Sequence, residues 1–212
     1  MRIFKILLFI SFPIFVIALA ASLLTTRPYM NLSQGLYESH ADIEYDHDYV
    51  SGELMDYLNY RRDDLQFGPD AETEGPLMRD IEIRHMKDVK DVYTGVRIAG
   101  AIALLVFVLS GLVLFKKDMR LLYTSLRDIY ILPTFVILFL GGWFIIDFSM
   151  VFTLFHEIFF TNDDWILTSN DVLIQLLPQM FWMVSGALIL LILALFMGLV
   201  MVLNQKIIKP RL

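Results

Sequence analysis

The sequence of 212 residues contains no cysteine. An exported segment of this chain therefore has no disulfide to staple it. It must be held by its own core and by docking on other elements. Attachment of lipid to the chain through a cysteine is excluded for the same reason. No G-x-S-x-G nucleophile elbow occurs. His156 and Glu157 are followed by Ile158, Phe159 and Phe160, so the H-E-x-x-H zinc pattern is broken. No ATP site is seen. Charge is scarce, at 19% of residues, against roughly a quarter in an average soluble domain. What charge there is leans acidic, 23 acids to 17 bases for a net −6, so the basic footprint of a nucleic-acid binder is missing.

What the chain has instead is apolar surface: 57% of residues are hydrophobic. They gather into four charge-poor runs at 4–24, 96–115, 130–146 and 178–203. A bilayer core about 30 Å thick takes on the order of 20 helical residues to cross. Three runs reach that length directly. The third reaches it only if its helix continues through Asp147 toward Phe160. The first run follows Arg2 and Lys5 and contains Ala18-Leu19-Ala20, a small-residue pattern compatible with signal cleavage. Its continuation to Leu24 favours a retained anchor. The expected fold is a membrane all-α bundle of four transmembrane helices, capped by a small extracytoplasmic α+β domain.

Orientation follows from the short basic segments. "KKDMRLLYTSLRD" carries four bases and two acids, and "NQKIIKPRL" three bases and no acid. The positive-inside rule places both, with the N-terminus, in the cytoplasm. The expected division is helix 1 at 1–24, an outer cap at 25–92 and helix 2 at 93–115. A cytoplasmic loop at 116–129, helix 3 at 130–160 and an outer interfacial loop at 161–177 follow, then helix 4 at 178–203 and a cytoplasmic tail at 204–212. Residues 25–92 hold sixteen acids and seven bases, which suits a solvated outer surface.

Within the cap, "ADIEYDHDYV" alternates strictly, the period of a half-buried strand. "RDIEIRH" alternates again, with Ile81, Ile83 and His85 in phase. Between them Val50, Leu54, Tyr57 and Leu58 share one helical face. These patterns predict a small sheet with one or two amphipathic helices. In the second outer segment "TNDD" is turn chemistry. Ser169 or Asn170 is the expected cap of a short helix over "DVLIQLL", and Pro178 opens the last span. Trp165 and Trp182 have the character of interfacial aromatics.

Two histidines stand out. His85 precedes the second apolar run and His156 lies near the end of the third, so the topology puts both at the outer interface. A lone interfacial histidine is more often structural than chemical. Asp88, three residues after His85, would orient its imidazole if the helix has begun by then, or would be a solvated acid of a helix start. Asp147 is the one acid set within an apolar run, a functional signal or simply an interfacial residue. Ser149 and His156 share a helical face but lie about 10 Å apart along it, too far for a nucleophile–base pair. His40 and His47 read as surface or sheet residues.

"HMKDVK" at 85–90, "FHEIFF" at 155–160, Trp165 and "NDVLIQLLPQMFW" at 170–182 together resemble the lipoprotein intramolecular transacylase family of Gram-positive bacteria. The resemblance runs through nearly the whole chain, including the long outer segment and the basic inner loop. It implies transfer of the sn-2 acyl chain from the diacylglyceryl group of a lipoprotein to the α-amine of its N-terminal cysteine. The product is the lyso-form, N-acylated and S-monoacylglyceryl. The family's histidines map to His85 and His156. His85 is the expected general base and His156 the general acid or oxyanion donor, with the roles open to exchange. Asp88 is the expected supporting residue. No cofactor or metal is expected. The expected partners are diacylated lipoprotein N-termini and membrane lipids, with the chain acting as a monomer in a bacterial plasma membrane. Two other readings are a membrane metalloenzyme with His47, His85 and His156 as ligands, and a non-catalytic sensor or accessory protein.

Overall fold

The computed structural model describes residues 1–36, 46–68 and 76–211. Among the described residues nine α-helices follow one another: α1 (Arg2–Leu24), α2 (Arg27–Leu36), α3 (His47–Leu58), α4 (Asp80–Lys117), α5 (Met119–Asp128), α6 (Ile131–Ile146), α7 (Phe148–Phe159), α8 (Val172–Leu176) and α9 (Gln179–Leu203). One π turn at Asn204–Ile208 and a 3₁₀ turn at Lys209–Arg211 complete the chain. Among the described residues four helical stretches are long and apolar enough to cross a membrane: Arg2–Leu24, Asp80–Lys117, Met119–Ile146 and Gln179–Arg211. Helix α4 has 38 residues, about 57 Å at 1.5 Å per residue and nearly twice a bilayer core. Its charge-free part is Ile98–Phe115. The first turns of α4, with eight charged residues before Ile98, are not bilayer-spanning in character.

The chain divides into two compact units. The first holds residues 1–21, 96–146 and 186–212. Its core stacks Leu8, Phe12 and Val16, one turn apart on α1, with Leu114, Leu122, Ile129 and Leu193. Phe12 and Phe107 sit with ring centroids 5.8 Å apart. Backbones approach closely where Gly100 crosses α1: a Cβ there would stand 2.4 Å from the Ala18 Cβ. Such small-residue crossings are how membrane helices gain dispersion contact in a solvent as apolar as themselves. Outside this core large side chains face outward, Ile145 at 87% and Ile146 at 82% exposed, which suits hydrocarbon and not water. The basic segment expected as a loop is instead α5. Asp118 caps it by accepting the Leu121 N–H at 2.9 Å, and Leu122 is buried beneath it.

The second unit holds residues 22–95 and 147–185. Helix α3 buries Val50, Leu54, Tyr57 and Leu58, the face expected from their spacing. Arg27 on α2 reaches over Gly52 to Asp56, with Nη2 to Oδ2 at 2.6 Å, and the same guanidinium holds the Asp56 carboxyl below its ordinary range. A Cβ at Gly52 would fall 2.3 Å from the Arg27 Nη1. Lys90 on α4 lies over the rings of Tyr57 and Tyr60, 3.9 and 4.4 Å from their centroids.

Three expectations are corrected here. The strand over "ADIEYDHDYV" is partly outside the described residues, at 41–45, and from His47 on it is helix α3. Asp46 caps that helix, accepting the Asp48 and Tyr49 N–H groups at 2.9 and 3.2 Å. The strand over "RDIEIRH" is the first two turns of α4. Alternation over so few residues fits a helix as well as a strand. No strand occurs among the described residues. Helix 3 does not run through Asp147: α6 stops at Ile146, and the Asp147 carboxylate accepts the Met150 N–H at 2.9 Å to start α7. An aspartate competes for backbone donors more readily than it extends a helix.

Candidate active site

Helix α4 starts where it does because Glu82, in its first turn, turns back to accept the Arg79 N–H at 2.9 Å, half of a capping box. From that start Glu82, His85, Met86 and Tyr93 are all buried, spaced along one helix face. His85 is 7% exposed. His156 sits in the last turn of α7 and is also 7% exposed. The two imidazoles lie beside each other, centroids 5.9 Å apart and planes 32° apart.

Aromatic rings pack around the pair. Phe160 stands edge-on to His85 at 5.1 Å and lies 5.5 Å from His156. Phe152 and Trp165 flank His156 at 4.1 and 4.9 Å. His156 Nδ1 lies 2.7 Å from the Phe152 carbonyl oxygen. A carbonyl only accepts, so Nδ1 carries the proton, and Nε2 keeps its lone pair. His85 Nδ1 is buried with no hydrogen-bond partner, unusual for a buried polar atom.

Burial lowers the pKa of both imidazoles. For His85 burial is the main cause and the neighbouring His156 adds to it; Asp88 and Asp164 oppose, and the result is about 4. For His156 burial leads and the Phe152 carbonyl opposes it. At neutral pH His85 is therefore an uncharged imidazole. Paired in a greasy pocket, one ring offers a lone pair and the other a neutral N–H. That set can move one proton and donate one hydrogen bond.

The segment after α7 is fastened along α4. Asn162 donates to Asp88 at 2.8 Å. Arg84 grips Asp164 through two bonds of 2.9 Å and holds that carboxyl below its usual range. Arg79 pairs with Asp171. Burial pushes Asp171 upward, but the Arg79 bond and two bonds from Thr168 outweigh it. Asp88 is thus engaged by Asn162, while the His85 nitrogen nearest the expectation of a carboxylate, Nδ1, has no partner.

The other sequence candidates fall away from the pair. His47 opens α3, and among the described residues no three His, Cys, Asp or Glu side chains are grouped to hold a metal. The ligand set His47, His85 and His156 is not assembled. His40 lies outside the described residues. Asp147 serves as a helix cap. Neither Ser169 nor Asn170 caps α8: its N-cap is Asp171, and Glu82 takes the Leu173 N–H instead. Two participants were not singled out from sequence, Glu82 and the Phe152 carbonyl. An arginine at the cap position does not give the usual capping-box pattern for Glu82, and a backbone carbonyl leaves no signal at all.

Comparison with known proteins bears on this arrangement. The family model described as lipoprotein intramolecular transacylase Lit matches residues 2–182. Among solved structures, the membrane-integral lipoprotein intramolecular transacylase Lit from Bacillus cereus, determined in meso, superposes with a TM-score of 0.74 at 22% identity, covering 99% of this chain and 96% of that one. The same Bacillus cereus protein with a histidine-to-alanine mutation gives 0.73 at 22% identity, with 99% and 94% covered. With a histidine-to-arginine mutation it gives 0.72 at 22% identity, with 99% and 92% covered. No curated protein sequence matches. With its helical membrane fold shared and most of its length matched, the chain belongs to the lipoprotein intramolecular transacylase family, a family of acyltransferases.

Proposed function

We propose that this protein moves the sn-2 acyl chain of a diacylglyceryl-modified lipoprotein from glycerol to the α-amine of the N-terminal cysteine, and that His85 and His156 carry the reaction. The observation that supports it most is the buried imidazole pair, 5.9 Å between centroids, with one tautomer fixed by the Phe152 carbonyl. Nucleophile and ester belong to one substrate molecule, so effective molarity supplies much of the rate. No covalent acyl-enzyme is needed.

The tautomer favours exchanging the roles expected from sequence. His156 Nε2 takes the proton as the amine nitrogen attacks the ester carbonyl. A C–N bond forms and the carbonyl oxygen becomes an oxyanion. Neutral His85 donates its N–H to that oxyanion. The C–O bond to glycerol then breaks, and the His156 imidazolium returns its proton to the departing glyceryl oxygen. The products are an amide and a free hydroxyl, with no net proton change. Asp88 supports from one step away, through Asn162 and the segment that carries Trp165. No cofactor takes part. Both histidines come from one chain, so a monomer suffices.

The positive-inside pattern orients the protein with both termini and residues 116–129 in the cytoplasm. The segments 25–92 and 161–177 then lie outside a bacterial plasma membrane, where mature lipoprotein N-termini sit among outer-leaflet lipids. Mass spectrometry of lipoprotein N-termini from cells with and without this protein tests the reaction. The lyso-form should depend on the wild-type gene and vanish with His156→Ala. Diacylated N-termini unchanged by the protein's presence would end the proposal.

A further inference from the structure

No hydrogen bond joins the two imidazoles, so their spacing must be set by what holds α4 to the segment running from α7 to α9. Along α4 the exposed fasteners are Arg84 and Asp88. The buried one is Glu82, 0% exposed and one turn before His85 on the same face. A carboxylate with no access to water is expensive unless its oxygens are satisfied. Each Glu82 oxygen has a backbone donor. Oε2 accepts the Arg79 N–H at 2.9 Å and Oε1 accepts the Leu173 N–H at 2.9 Å. The first is the N–H just ahead of α4 and the second lies in the opening turn of α8, donors with no partner inside their own helices. Burial raises the pKa of the Glu82 carboxyl, and these two bonds oppose that rise.

From α8 the connection continues to His156 by two routes. Upstream, the Thr168 backbone and hydroxyl bond to Asp171, closing the turn that follows Trp165, and Trp165 lies 4.9 Å from His156. Downstream, Trp182 donates to the Leu177 carbonyl at 3.1 Å and packs 6.2 Å from Phe152, whose carbonyl holds His156 Nδ1. We infer that Glu82 is a positioning residue for the transacylation: by bonding the first turns of α4 and α8 at once, it sets the separation of His85 from His156 without touching substrate. This rests on the reading that the two histidines carry the reaction.

The test uses full-length protein in lipid bicelles and a diacylglyceryl lipopeptide, with conversion to the lyso-form followed by mass. Glu82→Gln keeps the size of the side chain, but its amide nitrogen faces one of the two N–H donors, so one link is lost. The expected result is a kcat reduced at least about tenfold, since displacing a reacting group by about 1 Å costs up to a hundredfold. KM and the amount of folded protein should stay within about twofold of wild type. In a His85→Ala background Glu82→Gln should cost nothing further, because its effect passes through the pair. Wild-type kcat in folded Glu82→Gln, or a loss that adds in full to that of His85→Ala, overturns the inference. If Glu82→Gln does not fold, Glu82→Asp replaces it: a methylene shorter, it keeps the charge and reaches one donor at a time. A folded Glu82→Asp with wild-type kcat overturns the assignment. So does failure of both variants to fold, which would make Glu82 a folding residue only. Should His85→Ala and His156→Ala retain full activity, the reading beneath fails instead, whatever Glu82→Gln does.

Discussion

The two compact units are held together by different physics. In the first, among the described residues, polar links are sparse. Lys5 pairs with Asp128 at 3.0 Å, and Asn204 donates to the Tyr123 carbonyl at 3.0 Å. Arg127 also pairs with Asp128, and the packing is otherwise dominated by apolar side chains, with Gly100 set against Ala18. In the second, guanidinium–carboxylate pairs recur, Arg27 with Asp56, Arg62 with Glu53, Arg79 with Asp171 and Arg84 with Asp164. Lipid gives helices no hydrophobic reason to associate, so fit of shape must specify the first unit. The second unit adds directional polar bonds that fix the segments between its helices. The proposed chemistry falls in the unit with directional bonds, where the two imidazoles lie 5.9 Å apart between centroids.

The largest effect expected belongs to the histidines. His156→Ala should cost roughly a hundredfold or more in rate, the scale for losing a positioned acid or base, with folded yield unchanged. His85→Asn, which keeps an N–H donor, should retain more activity than His85→Ala. No such rescue is expected for His156→Asn. Equal rescue at both positions, read in the lipopeptide assay, would remove the distinction between base and donor.

The next effect is on stability against pH. His85 has a folded pKa of about 4, below the value of about 6.5 it takes when unfolded. The unfolded chain binds the extra proton first. Stability is therefore fully present above about pH 6.5 and declines as pH falls toward 4. Thermal midpoints of wild type and His85→Gln, compared from pH 7.5 to 4.5, should show a shallower decline in the variant. Identical slopes would mean the ring is not buried as described.

A smaller effect tests the packed unit. Gly100→Val drives a side chain into Ala18 and should destabilise by about 1–3 kcal/mol, the range for overpacking. Gly111→Ala, with nothing within 4 Å of the new Cβ, should be neutral or stabilising by up to about 1 kcal/mol through helix propensity. Thermal denaturation in one detergent separates them, and a reversed order would discredit the close crossing. Least of all should be Arg84→Ala. Its partner is an exposed pair, with 58% of the Arg84 side chain accessible, and such pairs contribute about 0–1 kcal/mol. The same loss should appear in wild type as salt is raised, and a salt-independent effect above that range would show that Arg84 does more than pair.

The spans could be read from sequence because bilayer thickness turns length and apolarity into a direct test. The buried face of α3 could be read because Val50, Leu54, Tyr57 and Leu58 repeat at helical spacing over several turns. The first turns of α4 could not. Ile81, Ile83 and His85 alternate while Met78, Glu82 and Met86 repeat by four, and so short a window does not choose between them. Asp147 was ambiguous for a related reason: a lone acid in an apolar run is equally an interior charge or a cap, and only the Met150 N–H decides. Topology led to the expectation that His85 and His156 share one side of a membrane. That they adjoin could not be read, since Asn162 and Asp164 meet partners on α4 and Asp171 meets Arg79 just before it, and pairing between distant polar residues leaves no periodic trace.

Both histidines reside in the second unit of a single chain. In genetic terms the proposed pairing predicts that defects at the two positions are non-complementing. A cell expressing His85→Ala from one locus and His156→Ala from another contains no molecule with an intact pair, and its lipoproteins should stay as diacylated as in either single strain. Restoration of the lyso-form in such a strain would mean that the pair is assembled across two chains.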